Sequence, residues 1–498
     1  MKVPLYYPEN YQHVSVSPPY PLMYLAKALL DAGHEPEIID ARFQPNHLEV
    51  VEKLTKSSPY LFVSASMPVE AISSIPAAKI AGENNSEVVL GGVFATFNKE
   101  RILGFPYVDG VVSGQGEKAA VEIMEKGISN ACNTAYIQDD RLVENKTSGF
   151  IDLNDYSPLP WELVNVEDYV RRQEGLLCLE YASSRGCPHD CIYCSQSRLW
   201  GKRFRSLSAE NTLNEIRLAG GQAGFECVNF FDDNFLTDRK RAFKIMQGLR
   251  DEGLLFSIQA RASDIDEPLV EKLKAGNCVK ICVGAESGCQ RTLDYVGKNI
   301  TLKQTREAAK LIGEYGLKSE FYFMLGFPNE GMEEIRQTLE LADYVEEKAQ
   351  AETLTRVAIP FTGTRYHEAA VKEGFQRDSS VKAVFTESWD YNPPSLPWLT
   401  QEENKFIQNI ALLSLLRYYD RKYVENMGFL DRYSHKILKN LWDYRWRHRF
   451  FKMPVDLKIH QKRRLSRNEK MAGKIKEEIL MQSKGDPNVR RLLQEGLG

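Results

Sequence analysis

The 498-residue chain contains no uncharged run long enough to span a bilayer. Its opening residues, Met1 to Tyr11, are polar and broken by Pro4 and Pro8, which argues against a secretory signal. The formal net charge is only −4, so nothing draws the whole molecule to nucleic acid, and no nucleic-acid partner is expected. There is no internal repeat and no low-complexity tract. Cysteine is sparse outside one short loop: of the nine, only Cys132 precedes Cys178 and none follows Cys289. That distribution fits a reducing, cytoplasmic setting better than a disulfide framework. The length leaves room for roughly two to four domains with ample core.

Set against these absences is one dense stretch, Ser184-Arg185-Gly186-Cys187-Pro188-His189-Asp190-Cys191-Ile192-Tyr193-Cys194. Its C-x3-C-x2-C spacing suits three corners of one cubane cluster. An ordinary [4Fe–4S] electron carrier takes four thiolates. With no fourth cysteine nearby, one iron would stay open to an outside ligand, as catalytic metal sites do. The competing reading is a zinc site completed by His189. It is poor, because His189 sits between Cys187 and Cys191, far from finger spacing. The loop resembles that of the radical S-adenosylmethionine (SAM) superfamily. The resemblance implies that Cys187, Cys191 and Cys194 hold an oxygen-sensitive [4Fe–4S] cluster whose open iron is chelated by SAM.

Before the loop, candidate strands at 2–7, 35–40, 60–64, 87–90 and 108–113 alternate with amphipathic runs at 21–32, closed by Gly33, and 69–81, closed by Gly82. This alternation predicts a doubly wound parallel sheet, whose ligands sit beyond the carboxyl ends of its strands. Three exits are rich in small residues: Ser64-Ala65-Ser66-Met67, Gly91-Gly92-Val93 and Ser113-Gly114-Gln115-Gly116-Glu117. Ordinary turns of a nucleotide-type fold would look much the same. The order of Pro18-Pro19-Tyr20-Pro21-Leu22, Ala32-Gly33-His34, Val89-Leu90-Gly91-Gly92 and Gly114-Gln115-Gly116-Glu117, however, resembles the cobalamin-binding domain that precedes many radical SAM enzymes. That likeness implies cobalamin contacts at Ser64, Ser66, Met67, Gly91, Gly92, Gly114, Gly116 and Glu117. The D-x-H-x-x-G motif of the cobalamin mutases is absent, so no histidine is expected below the cobalt.

From Leu176 onward, strand patterns at 176–181, 226–231, 255–259, 279–283, 319–324 and 353–358 predict a partial (β/α)6 barrel, with its chemistry where strands end. Cys178, Cys227, Cys278 and Cys282 fall inside these patterns and read as small buried groups, and Cys289 as filler. The strand exits carry Phe231-Asp232-Asp233, Arg261, Glu286-Ser287 and Leu325-Gly326-Phe327-Pro328-Asn329-Glu330. Paired acids at such an exit suit a metal or a helix cap. The resemblance instead assigns Phe231, Asp232 and Asp233 to the SAM ammonium. It assigns Arg261, Glu286 and Ser287 to the SAM carboxylate and ribose, and Gly326 and Tyr193 to the adenine. The few cysteines outside the loop leave no place for the N-terminal second cluster of methylthiotransferases, nor for an auxiliary cluster after the barrel.

The expected α/β architecture is a cobalamin-binding-like domain at 1–128, a connector at 129–175, the radical SAM barrel at 176–387 and a helical region at 388–498. In the last region 402–419 reads as an amphipathic helix. Tyr433–Lys452 mixes arginines with Trp442, Tyr444, Trp446, Phe450 and Phe451. This segment suits either an anionic membrane surface or, as the favoured reading, a domain-closing helix with snorkelling arginines. The charged stretch Lys462–Gly498 is expected to fray at its end. The resemblance implies a radical SAM enzyme that methylates an unactivated carbon through cobalamin, acting on a small-molecule, lipid or peptide substrate. It also implies an external electron donor of flavodoxin or ferredoxin type. Radical ring formation or rearrangement, and a cluster- and cobalamin-binding sensor without turnover, are the alternatives. No general acid or base is assigned.

Overall fold

The computed structural model describes residues 1–9, 16–376, 393–423, 442–449, 451 and 473–495. Two sheets of seven strands form the α/β frame. The first contains β1 (Lys2–Tyr7), β2 (Glu35–Asp40), β3 (Tyr60–Ser64), β4 (Glu87–Gly91) and β5 (Gly110–Val112), all parallel in the order β2-β1-β3-β4-β5. Strand order reverses beside β1, so the helices after β1 and β3 leave on opposite faces and a crevice opens at the strand exits. The stretch read as a connector extends this sheet by an antiparallel pair, β6 (Thr134–Gln138) and β7 (Arg141–Glu144).

The sequence pattern at 69–81 is two helices, Pro68–Ser73 and Ile75–Glu83, meeting at Ser74. Pro76 opens the second, where its missing N–H costs nothing. Gly82 lies inside that helix and does not close it; the chain turns at Asn84 and at Asn85, which has φ +60°. At Gly33, by contrast, φ is +79° where the first helix, Tyr20–Asp31, stops.

The second sheet runs β8 (Val170–Gln173), β9 (Leu176–Tyr181), β12 (Cys227–Phe230), β13 (Leu255–Arg261), β14 (Cys278–Glu286), β15 (Ser319–Leu325) and β16 (Glu352–Val357). From β9 onward it is parallel and in sequence order, while β8 pairs antiparallel at the edge. Between β9 and β12, β10 (Ser184–Arg185) and β11 (Arg205–Ser206) form a two-residue ribbon. One face, with Leu179, Val228, Ile258, Val283 and Phe323, packs on the surrounding helices. Helix Gln401–Tyr423 covers the β16 edge, where Ser414 Oγ accepts from Thr355 N at 2.8 Å. Its first half is amphipathic as expected, with Asn404, Ile407 and Ile410 buried and Glu402 and Lys405 exposed, whereas residues 411–418 are buried all round.

Trp442, Trp446 and Phe451 are buried in the barrel core, with Arg417 4.6 Å over the Trp446 ring. Those three close the domain, whereas Tyr444 of the same run faces outward. Phe450 and Lys452 of the same run lie outside the described residues, as does the stretch 462–472. Beyond it, helices 473–482 and Pro487–Glu495 dock on the first domain, while the end expected to fray, 496–498, lies outside the described residues. Ile475, Ile479, Val489 and Leu493 join the core containing Val51, Leu54 and Ile75. No described helix is long and apolar enough to cross a membrane.

Candidate active site

The two sheets meet through aromatic packing. Tyr20, opening the first helix, donates to Glu180 O at 2.7 Å and packs against Tyr181, Trp161 and Phe231. Beside this contact is a cavity of about 490 Å³. Its first-domain wall includes Ser64, Ser66, Gly91, Gly92, Gly114, Gly116 and Glu117; its barrel wall includes Ser184, Arg185, Trp200, Phe231 and Asp233.

The glycines make that wall shallow. Gly92 has φ +116°, and a Cβ there would stand 2.8 Å from Ala65 O and 2.9 Å from Ser66 Oγ. Glu70 braces the adjacent loop, accepting from Ser66 N at 2.8 Å and Met67 N at 3.1 Å. Met67 itself is exposed and does not line the cavity. Glu117 is buried: one carboxylate oxygen accepts from Arg185 at 2.6 Å, and the other has no partner among the described residues. Neither His34 nor His47 lines the cavity, and His47 Nδ1 is 3.0 Å from the Tyr6 hydroxyl.

On the barrel side, Gly186 enters the cysteine loop with φ +86°, and its N–H donates to Asp233 Oδ2 at 2.8 Å. The loop is tied down where Ile192 N donates to Val296 O at 3.0 Å and Tyr366 N to Ile192 O at 2.9 Å. Burial pushes the Cys194 thiol up to about 12 and the Cys187 thiol upward as well. Ligation must therefore displace protons from buried sulfurs. Among the described residues, no three His, Cys, Asp or Glu converge as ligands of a single ion.

Arg261 is buried beside these cysteines, with Nη1 3.9 Å from Cys191 Sγ. Nη2 donates to Lys298 O, and Nε has no partner among the described residues. A fixed cation with an unspent N–H suits the net negative charge of a cluster held by three thiolates.

The neighbouring acids divide by what they touch. Asp232 is fully buried and accepts from Ser183 N at 3.2 Å, Ser183 Oγ at 2.7 Å and Ser184 Oγ. Asp233 borders the cavity, open to the empty space yet surrounded by protein. That enclosure pushes its carboxyl up to about 6, against the Gly186 hydrogen bond.

At the next exits Glu286 adopts φ +64° and pairs with the buried Lys298 Nζ at 2.5 Å. Ser287 is spent on a buried network, with its Oγ 3.3 Å from Glu330 and 3.1 Å from Thr338. Gly326 has φ +92°, and a Cβ there would meet Leu396 Cδ1 at 2.5 Å. The Tyr193 and Phe327 ring centres are 6.0 Å apart. Burial, then the charge of Glu286, pushes the Tyr193 phenol upward.

The sequence reading missed Arg185, Trp200, Lys298 and Glu330. Arg185 and Glu330 stood inside the quoted motifs, but nothing local revealed that one reaches the first domain and the other caps Gly326 N at 2.7 Å.

Comparison with known proteins agrees with this geometry. Residues 181–342 match the model of the Radical SAM superfamily, and residues 14–124 that of the B12 binding domain. The chain is 30% identical over 369 residues to the uncharacterized methyltransferase PH0819 of Pyrococcus horikoshii, covering 72% of this chain and 79% of that one. The chain belongs to the radical SAM superfamily, in the group that carries a B12 binding domain.

This radical SAM enzyme is also 27% identical to the anaerobic magnesium-protoporphyrin IX monomethyl ester cyclase of Cereibacter sphaeroides, over 65% of its own length and 56% of the cyclase. Two solved structures share its fold. One is the methyltransferase TsrM of Kitasatospora setae, determined with cobalamin and a [4Fe–4S] cluster (TM-score 0.59, 18% identity, 75% of each chain). The other is OxsB with aqua-cobalamin and SAM, at TM-score 0.63 and 15% identity, covering 100% of this chain and 84% of OxsB.

Proposed function

We propose that this radical SAM enzyme transfers a methyl group from cobalamin to an unactivated carbon of its substrate. The observation that carries the reading is the shared cavity, because methyl donation needs both cofactors to face one space. Its glycine-rich wall belongs to the B12-type sheet, and its opposite wall flanks the cysteine loop. When bound, the cluster and SAM supply a hydrogen-abstracting radical and cobalamin supplies the methyl group; the difficult chemistry is theirs.

The chain's own residues bind, orient and exclude water. Cys187, Cys191 and Cys194 would hold three irons, with Arg261 balancing their charge. Asp233 is the acceptor on the cavity side, so the SAM ammonium falls to Asp233, while Asp232 fixes the Ser183-Ser184 turn beneath it. Tyr193 and Gly326 would flank the adenine, and Glu286 with Lys298 the ribose side. The shallow wall at Gly91, Gly92, Gly114 and Gly116 would admit the corrin edge, with no histidine reaching the cobalt. On this reading residues up to about 148 form the cobalamin module, and β8 to β16 the barrel.

The test uses SAM labelled on its methyl group and quantifies both nucleoside products. Methylation through cobalt predicts label in the product and near-equal S-adenosylhomocysteine and 5′-deoxyadenosine. The cyclase relatives favour a second reading, ring formation, which predicts an unlabelled product without matching S-adenosylhomocysteine. The substrate class is small-molecule, lipid or peptide.

A further inference from the structure

Two side chains on opposite walls of the shared cavity carry buried oxygens that have no hydrogen-bond partner among the described residues. On the first-domain wall it is Glu117 Oε2, whose sister oxygen holds Arg185. On the barrel wall it is Gln196 Oε1. A buried acceptor without a donor costs free energy, so such an atom in a cavity wall points to a ligand that brings the donor.

Gln196 is held in place by its backbone. It follows Cys194 by two residues, and its N–H hydrogen-bonds the Cys194 sulfur. Helix Gln196–Trp200 then brings Leu199 and Trp200 onto the same wall. The positive φ of Gly201 and Lys202, +60° and +59°, turns the chain back to Arg203, whose carbonyl lies against Gly186. The segment is thus pinned to the cysteine loop at both ends, and the polar side chain it offers the cavity is Gln196.

The residues sharing the cavity identify what faces it. Of the groups assigned to SAM, Phe231 and Asp233 border this space, while Tyr193, Arg261, Glu286 and Gly326 do not. The opposite wall is the glycine row Gly91, Gly92, Gly114 and Gly116. The space between therefore suits a corrin edge rather than a nucleoside. The rim of cobalamin is ringed by primary amides, each with an N–H2 donor and a C=O acceptor, which is the complement of a glutamine side chain.

We propose that Gln196 is a cobalamin-binding residue contributed by the barrel: its side-chain amide pairs with a primary amide of the corrin rim, across the cavity from a second rim amide that donates to Glu117 Oε2. The cofactor then hydrogen-bonds to both domains at once. On the barrel side its partner is the residue whose N–H touches Cys194, so the corrin is registered against the cysteine loop. The inference rests on the cobalamin reading above and extends it from the exits of the first sheet to the barrel.

The test uses full-length protein reconstituted anaerobically, with iron and sulfide measured so that a lost cluster is recognised as such. Hydroxocobalamin is titrated and followed by its absorbance, and SAM is titrated calorimetrically into the unreduced protein. Gln196→Met, of similar length but without the amide, should weaken cobalamin binding about tenfold and leave cluster content and SAM affinity as in wild type. Gln196→Glu keeps an acceptor and should bind cobalamin more tightly than Gln196→Met. Glu125→Gln, at an exposed position of the helix that Glu117 opens, should match wild type. Equal cobalamin affinity in wild type and Gln196→Met overturns the inference alone. So does equal weakness of the Met and Glu variants, which would make the loss one of packing. A loss of SAM affinity in place of cobalamin affinity also overturns it, by turning the amide toward the nucleoside. Wild-type protein that binds no cobalamin overturns both the inference and the reading beneath it.

Discussion

Replacing Gly186 by alanine perturbs the cysteine loop at its entrance. Two costs add there. At φ +86° an L side chain meets left-handed backbone strain of about 1 kcal/mol. The new methyl would also strike Arg203 O well inside 3.0 Å, a distance real Cβ atoms essentially never cross, with Trp200 Cβ at 3.1 Å behind it. Backbone on one side and packed tryptophan on the other leave no flexible group to yield, so overpacking adds about 1–3 kcal/mol. Among the described residues the regular pairing that holds this region is Ser184 to Ser206 and Arg185 to Arg205, too little to absorb the strain. The expected relief is separation of the ribbon, carrying Cys187 out of register with Cys191 and Cys194. Gly201→Ala is the matched control: φ is +60°, but nothing lies within 4 Å of its Cβ, so it meets the strain without the collision. Both variants would be reconstituted anaerobically and assayed for iron, sulfide and the cluster's electron paramagnetic resonance signal. Gly186→Ala should lose most of its cluster while Gly201→Ala retains it. Equal cluster content in the two would refute the reasoning.

Two further outcomes follow from buried charges. Removing Glu117 alone leaves Arg185 buried without its carboxylate, at a cost of about 3 kcal/mol, whereas Glu117→Ala with Arg185→Ala should cost much less than the two singles combined. A denaturant-unfolding cycle with coupling near zero would show that the pair does not join the domains. Burial pushes the Glu330 carboxyl from 4.5 up to about 7, against hydrogen bonds from the Gly326 and Phe327 amides. The native state therefore holds its proton more tightly than the unfolded chain does. The resulting stability is full below the unfolded value and is lost as pH rises through about 7, at most about 3 kcal/mol. Glu330→Gln should flatten the fall in unfolding free energy across this window, and parallel curves for variant and wild type would refute the assignment.

The cluster loop was legible because its chemistry is contiguous: the cysteine spacing, Gly186 and Tyr193 lie within one turn of chain. Strands β3 and β4 were legible because burial on both faces leaves the apolar runs Tyr60–Val63 and Val88–Leu90. Pairings across distance were not. Arg185 and Glu117 are 68 positions apart, and neither sequence neighbourhood hints at the other. Asp232 and Asp233 are chemically identical neighbours; only the strand's exit geometry turns one toward Ser183 and Ser184 and the other toward the cavity. The C-terminal helices were hidden for another reason. Their apolar positions, Ile475, Ile479, Val489 and Leu493, are diluted by a run of charged residues that dominates composition.

Those helices have a consequence for how the molecule is made. The helical layer over the first sheet, with Val51, Leu54 and Ile75, is closed by residues translated after the barrel. As the chain emerges from the ribosome, that surface must wait, apolar and uncovered, until the barrel between has been synthesised. The B12-type module thus precedes the barrel in sequence but is sealed by residues that follow it, and cutting the chain after the barrel would reopen it. Tyr107 and Lys79, which meet Asp486 across this seam, mark where the closing contact is made.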